Sequence, residues 1–234
     1  MIGYSTGSFY KLGIGLEERI NAIKEVGSDC IELSFACPSD ATNFNLTPGI
    51  IRKLQEFSNI SLHAPWYQIK YENNSEVGDV VEKLREIAER VCSNGIVIHP
   101  DVIGDWNYIE ESGMDWVIEN MDSKKSFGKY PEEMEKLGKE HEFDFVLDLF
   151  HTYENRPDLE FVREMREAMK DRIRHVHLSG IGSERHCLVC SADNLDYIQE
   201  ILKDVREPII LEGVLYERSM AKIELDFVNS LHLR

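Results

Sequence analysis

The sequence predicts a single (β/α)8 barrel, on three observations. Eight short β-rich runs alternate with segments of helical period, spaced roughly 25–35 residues apart, the pattern of βα units feeding a parallel sheet. The 234 residues are close to the about 250 that one such barrel takes. No Ser/Gly linker, low-complexity tract or composition shift divides residues 1–234, so one domain is expected. An open sheet of six or seven strands is the alternative arrangement of the same units.

The first run, Ile2–Ser5, leads to a helix whose Leu16, Ile20, Ile23 and Val26 fall at helical spacing and which stops at Gly27. Cys30–Ser34 is the second strand. Thr47 and Pro48 read as N-cap and first helical residue of the next helix, with Ile51, Leu54 and Phe57 behind them. Ile60–His63 precedes the stripe Val77, Val80, Val81, Leu84, Ile87, Ala88, Val91, and Ile96–His99 follows it. The stretch from His99 to Trp116 is short and holds Gly104 and Gly113, so a brief helix or an irregular turn has to serve there. Trp116–Asn120 is followed by a helix that Pro131 opens and that carries Met134 and Leu137. Phe143–Leu149, Arg174–Leu178 and Ile209–Glu212 complete the strands. Leu159, Val162, Met165 and Met169 mark the helix after the sixth strand, and Leu195, Ile198, Leu202 and Val205 the one after the seventh. A last helix runs from Glu217 to the C-terminus. All these stripes are apolar faces turned to the barrel.

Hydrophobic residues at 42% and charged residues at 29% are ordinary for a folded chain and argue against disorder. The formal net charge of −17 repels nucleic acid at long range and leaves no footprint for a membrane surface, so any DNA binding needs a local basic patch. No apolar run approaches the about 18 residues that span a bilayer. Met1-Ile2-Gly3-Tyr4-Ser5 has neither the basic region nor the apolar core of an export signal. The five cysteines, Cys30, Cys37, Cys92, Cys187 and Cys190, are odd in number and lack framework spacing, so a reducing, cytoplasmic setting is expected.

Active sites of such barrels form at the C-terminal ends of the strands. Strand three ends at His63, four at His99 and five at Glu119. Strand six reaches Asp148 with His151 just beyond, seven carries His175 and His177, and eight ends at Glu212. Strands disfavour Asp, and a charge at the end of an apolar run needs a partner. One such residue is as well explained by a satisfied polar strand end. Six in succession at one mouth point to a divalent-metal site, because a cation supplies the counter-charge that makes several buried carboxylates tolerable. Glu184 and His186, two apart in the loop after strand seven, have the spacing to chelate an ion from an extended chain.

The ordered set His63-Ala64-Pro65-Trp66, His99-Pro100, Glu119-Asn120, Asp148-Leu149-Phe150-His151, His177-Leu178, Glu184-Arg185-His186 and Leu211-Glu212 resembles the xylose isomerase-like TIM-barrel superfamily. Within it, the set is most similar to the endonuclease IV family (AP endonuclease family 2), over roughly residues 60–213. The resemblance implies up to three zinc ions, with manganese suited to the same ligands. His63, His99 and Glu119 would hold the first. Glu119, Asp148, His177 and Glu212 would hold the second, and His151, Glu184 and His186 the third. Glu184 departs from the Asp of that family, and the chain is shorter than the family's DNA enzymes. The sister branch of sugar isomerases and epimerases uses one metal at positions matching Glu119, Asp148, His177 and Glu212, where two carboxylates move a proton on a sugar carbon.

The reading favoured at this point is a metal-dependent phosphoester hydrolase acting on abasic DNA or a smaller phosphorylated molecule, with a sugar isomerase or epimerase as the alternative. Glu119 would position the attacking water, Glu212 would serve as the second working carboxylate, and Arg185 would meet a phosphate. Lys124, Lys125 and Lys129 follow strand five and are further candidate phosphate contacts, though a solvated loop explains them equally well. Trp66 and Tyr67 would stand at the rim against a substrate, and Glu32, ending strand two, is a candidate substrate contact. His175, two residues deeper than His177, reads as a buried core histidine. Cys187 and Cys190 have CxxC spacing without a second pair and read as loop packing.

Overall fold

The computed structural model describes residues 1–232. Eight parallel strands, β1 (Ile2–Ser5), β2 (Cys30–Ser34), β3 (Asn59–His63), β4 (Ile96–Ile98), β5 (Trp116–Glu119), β6 (Asp144–Asp148), β7 (Ile173–Leu178) and β8 (Ile209–Leu211), pair in chain order. β8 pairs back onto β1 through Ile2 and Ile209, so the sheet is a closed barrel and the open-sheet alternative is excluded. Ile96-Val97-Ile98 and Trp116-Val117-Ile118 are the continuous β-branched and aromatic runs expected of strands covered on both faces.

The helices are α1 (Leu16–Glu25), α2 (Pro38–Thr42), α3 (Pro48–Leu54), α4 (Ser75–Val91), α5 (Trp106–Glu111), α6 (Pro131–Glu140), α7 (Leu149–Asn155), α8 (Leu159–Met169), α9 (Leu195–Leu202) and α10 (Ser219–His232). Thr47 caps α3 by accepting from the Ile50 amide at 3.3 Å, and Asn74 caps α4 by accepting from Val77 at 3.0 Å. The short stretch after β4 is filled by a 3-10 turn at Pro100–Val102 and by α5, capped by Asp105. Two helices have no stripe in the sequence. α2 is held by the Asp40 carboxylate, which accepts from the Ala36 and Cys37 amides. α7 starts where β6 stops, because Asp148 Oδ1 accepts from the His151 amide at 2.7 Å; the sixth strand is therefore shorter than Phe143–Leu149. Of the expected last helix, residues 233–234 lie outside the described residues.

Strand side chains alternate between faces. The inward positions therefore run in pairs: Ser61 and His63, Val97 and His99, Val117 and Glu119, Val146 and Asp148, His175 and His177. The second member of each sits at the mouth and the first one layer deeper. Val97, Val117 and Val146 form an apolar cluster of their own in that deeper layer, separate from the main core between sheet and helices. Among the described residues no helix is long and apolar enough to cross a membrane.

Candidate active site

Glu119 is the hub. It ends β5, is buried, and faces a histidine from each of four segments. Its Oε2 lies 3.1 Å from His63 Nε2 and 3.2 Å from His99 Nε2. Its Oε1 lies 3.3 Å from His151 Nδ1 and 3.4 Å from His177 Nδ1. Burial alone would raise its pKa, but His177, His99 and His63 hold the carboxyl well below the usual range. Burial works against His63 holding a second proton, yet the Glu119 carboxylate outweighs it and raises that pKa. His99, on the same oxygen, is pushed down by burial to about 4.

A second set of donors faces His177. Asp148 and His177 are direct register partners across β6 and β7, which brings Asp148 Oδ2 to 3.9 Å from His177 Nδ1. Glu212 Oε2 lies 3.6 Å from the same nitrogen. Burial pushes Asp148 up to about 6 and Glu212 up to about 7, and the neighbouring Glu119 charge adds to both. Burial disfavours charge on His177 too, but Glu212, Glu32 and Glu119 overcome it and raise its pKa well above the ordinary value. Asn120 ties β5 to β6, accepting from the Asp148 amide at 2.7 Å and donating to the Asp148 carbonyl at 3.0 Å. Its carbonyl accepts from His151 Nδ1 at 2.8 Å.

These residues fit divalent ions. The ligand atoms of His63, His99 and Glu119 lie within 4.8 Å of one another, as do those of Glu119, Asp148, His177 and Glu212. His177 Nδ1, aimed at three carboxylates, is buried and makes no hydrogen bond, an orphan of the kind that a cation satisfies.

Neither a protein-family model nor a curated protein matches the sequence. Solved structures do. Endonuclease IV from Thermus thermophilus superposes with a TM-score of 0.71 at 18% identity, covering 98% of this chain and 98% of that one. A D-tagatose 3-epimerase-like protein gives 0.67 at 19% identity over 99% and 98% of the two chains. A xylose isomerase domain protein from Alicyclobacillus acidocaldarius subsp. acidocaldarius gives 0.64 at 11% identity over 100% and 99%. The fold is the TIM barrel that these structures share. One scaffold carries an endonuclease and an epimerase-like protein among these neighbours, so the chemistry has to be read from the side chains.

On this barrel the remaining sequence candidates are scattered. His151 stands beside Glu119, but Glu184 is exposed and accepts from the Tyr216 hydroxyl. His186 packs its ring on Phe150, centroids 3.9 Å apart, and its Nδ1 lies 3.0 Å from Ser179 Oγ. Burial pushes the His186 pKa down to about 3. Among the described residues, His151, Glu184 and His186 are not brought together as a donor group. Arg185 is gripped by Glu154 and by Asp122, the latter at 3.0 Å, and Lys125 by Asp101 at 3.1 Å. Lys124 is exposed; Lys129 lies over the Tyr130 ring. Trp66 packs edge-on against His63, 4.7 Å between centroids, and Tyr67 is exposed. Glu32 is fully buried beneath the mouth rather than open to a substrate, and His175 is buried beside it. Asp122 and Glu154, the partners of Arg185, are not among the sequence candidates; pairing across such distances along the chain leaves no local signal.

Proposed function

We propose that the chain is a divalent-metal-dependent phosphoester hydrolase working at a two-ion centre built on Glu119. The observation that carries this reading is the sharing of one buried carboxylate: Oε2 serves His63 and His99, while Oε1 serves the side where His177, Asp148 and Glu212 converge. Two adjacent donor groups joined in this way suit in-line displacement at phosphorus, where attacking and leaving oxygens both need positive charge. Bound zinc or manganese supplies that charge and acidifies the attacking water. The chain's own part is orientation and proton handling. Glu119 fixes the spacing of the two groups. Glu212, whose side chain keeps 18% exposure, is the carboxylate of this group placed to accept or return a proton. Trp66 covers the His63 and His99 flank against water.

The substrate favoured is a small phosphorylated molecule rather than duplex DNA. Arg185 and Lys125 are already engaged by carboxylates, and the net charge is −17, so few cations remain to track a nucleic-acid backbone. A second reading, sugar isomerisation or epimerisation at the Glu119, Asp148, His177 and Glu212 group alone, draws on a specific observation: this group by itself brings ligand atoms of three carboxylates and one histidine within 4.8 Å of one another. Metal-loaded protein assayed against phosphomonoesters, an abasic duplex and a ketose panel tests the two. We expect two ions per chain and phosphoester cleavage, with His63→Ala removing one ion and the cleavage. One ion per chain, ketose turnover and indifference to His63→Ala would replace the first reading by the second.

A further inference from the structure

Beneath the mouth lies a polar cluster that this chemistry does not use. Glu32 on β2 is fully buried and is the register partner of Ser61 on β3. Its Oε2 accepts from Ser61 Oγ at 2.8 Å. Across the barrel interior the same oxygen lies 3.2 Å from His175 Nε2 and 3.3 Å from His177 Nε2. Val97, Val117 and Val146 form an apolar cluster in the same interior, and Ser5, the β1 register partner of Glu32, turns its Oγ to the Gly7 amide at 3.2 Å. His177 is thus held from both sides, with Nε2 on Glu32 and Nδ1 toward Glu119, Asp148 and Glu212.

A neutral imidazole carries one proton, and the nitrogen that keeps it cannot bind a cation. For two other histidines of the site a backbone carbonyl makes that choice: His63 Nδ1 meets the Ala64 carbonyl at 2.9 Å and His151 Nδ1 meets that of Asn120 at 2.8 Å. His177 is anchored by a carboxylate instead. An ionised carboxylate only accepts, so it retains the proton on Nε2 and leaves the Nδ1 lone pair facing the three acidic groups.

We propose that Glu32, braced by Ser61 and His175, is a positioning residue that fixes the Nε2–H tautomer and ring orientation of His177 and so sets the metal affinity of the Glu119, Asp148, His177 and Glu212 group. This deepens the proposed function and rests on it only in requiring that this group hold an ion. Glu32, His175 and His177 also lie close enough to one another to hold an ion themselves. That arrangement would strip Nε2 of its proton and leave either a proton on Nδ1 among three carboxylates or an imidazolate, so the geometry favours a proton between Glu32 and His177.

The test uses Glu32→Gln, nearly isosteric but able to donate to Nε2, with Ser61→Ala as a milder variant should the first fail to fold. Ring-nitrogen NMR on metal-free protein, above the titration of His177, reads the tautomer. Chelator competition reads zinc affinity, and elemental analysis reads stoichiometry at saturation. We expect Nε2–H in the wild type, a shift toward Nδ1–H in Glu32→Gln, zinc held about 10–100-fold more weakly and the number of ions at saturation unchanged. Ser61→Ala should move the affinity in the same direction by less. Unchanged affinity in a folded Glu32→Gln, or an Nδ1–H wild type, overturns the proposal. So does loss of a whole ion at saturation, which would make Glu32 a ligand. A wild type that takes up no zinc defeats the metal-enzyme reading instead, while the tautomer measurement still decides whether Glu32 orients His177.

Discussion

The donors on strand ends and the donors on the loop after β7 are marked by equally clear sequence motifs, yet only the former converge. On the strands, pairing leaves little choice. Asp148 faces His177 because they are register partners, and each mouth residue lies two positions above an inward neighbour. The loop is closed on itself by an antiparallel bridge between Gly180 and Cys187 and stands outside the sheet register, and its side chains pair away from the strand-end group: Glu184 with Tyr216, Arg185 with Glu154 and Asp122, His186 with Phe150. A two-residue spacing is therefore geometry on a strand and mere proximity on a loop.

The largest effect is expected at the hub. Glu119→Gln should lower affinity for both ions by more than about 100-fold, beyond what loss of a supporting residue costs. If only one ion is lost, as counted by native mass spectrometry, the carboxylate is not shared.

The next effect is on stability and follows from the crowding of acids at the strand ends. Glu212 and His177 have folded pKa values raised above their unfolded ones, so the stability they give is present at low pH and lost as pH rises through the folded values. Above about pH 6.5 the unfolded carboxyls are already deprotonated and the unfolded histidines at least half so, and the opposing gain from His99, His175 and His186, whose folded pKa values are lowered, is confined to the lower end of the window. Metal-free protein should therefore melt lower at about pH 8.5 than at about pH 6.5. Glu212 alone contributes on the order of 1 kcal/mol, or about 2–4 °C. Metal-loaded protein should show the opposite trend, since protons compete with the ions. Thermal scans of the two forms giving parallel pH profiles would show that the strand-end donors do not bind the ions.

The loop should matter less. Glu184→Ala is expected to leave the ion count unchanged and the rate within about twofold, as for an exposed substitution. A drop of one ion would mean that the loop folds inward around a third. Smallest of all, Lys124→Glu combined with Lys125→Glu should leave turnover of a small phosphoester within about twofold. Incision of an abasic duplex at physiological salt, abolished by that pair and steeply salt-dependent, would instead favour a DNA substrate.

Much of this architecture is legible in the sequence because periodicity and strand-end chemistry are local. The eight strands stand within a residue or so of their expected bounds, since apolar runs bounded by Gly, Pro or charge define them. α2 and α7 leave no such trace, because helices of five and seven residues carry no stripe and because Asp148 serves as both strand end and helix cap. The place of Glu32 near the end of β2 suggests a substrate contact. Its register with Ser61, two residues below His63, puts it a layer deeper, and strand parity alone carries that information.

In the proposed centre Glu119 is shared between two ions on strand ends. Anomalous scattering from crystals of the zinc-loaded protein tests it most directly. Two peaks are expected about 3.5–4 Å apart, one against His63 and His99 and one against Asp148, His177 and Glu212, with Glu119 between them. A single peak, or peaks at Glu184 and His186 with none beside Glu119, would contradict it.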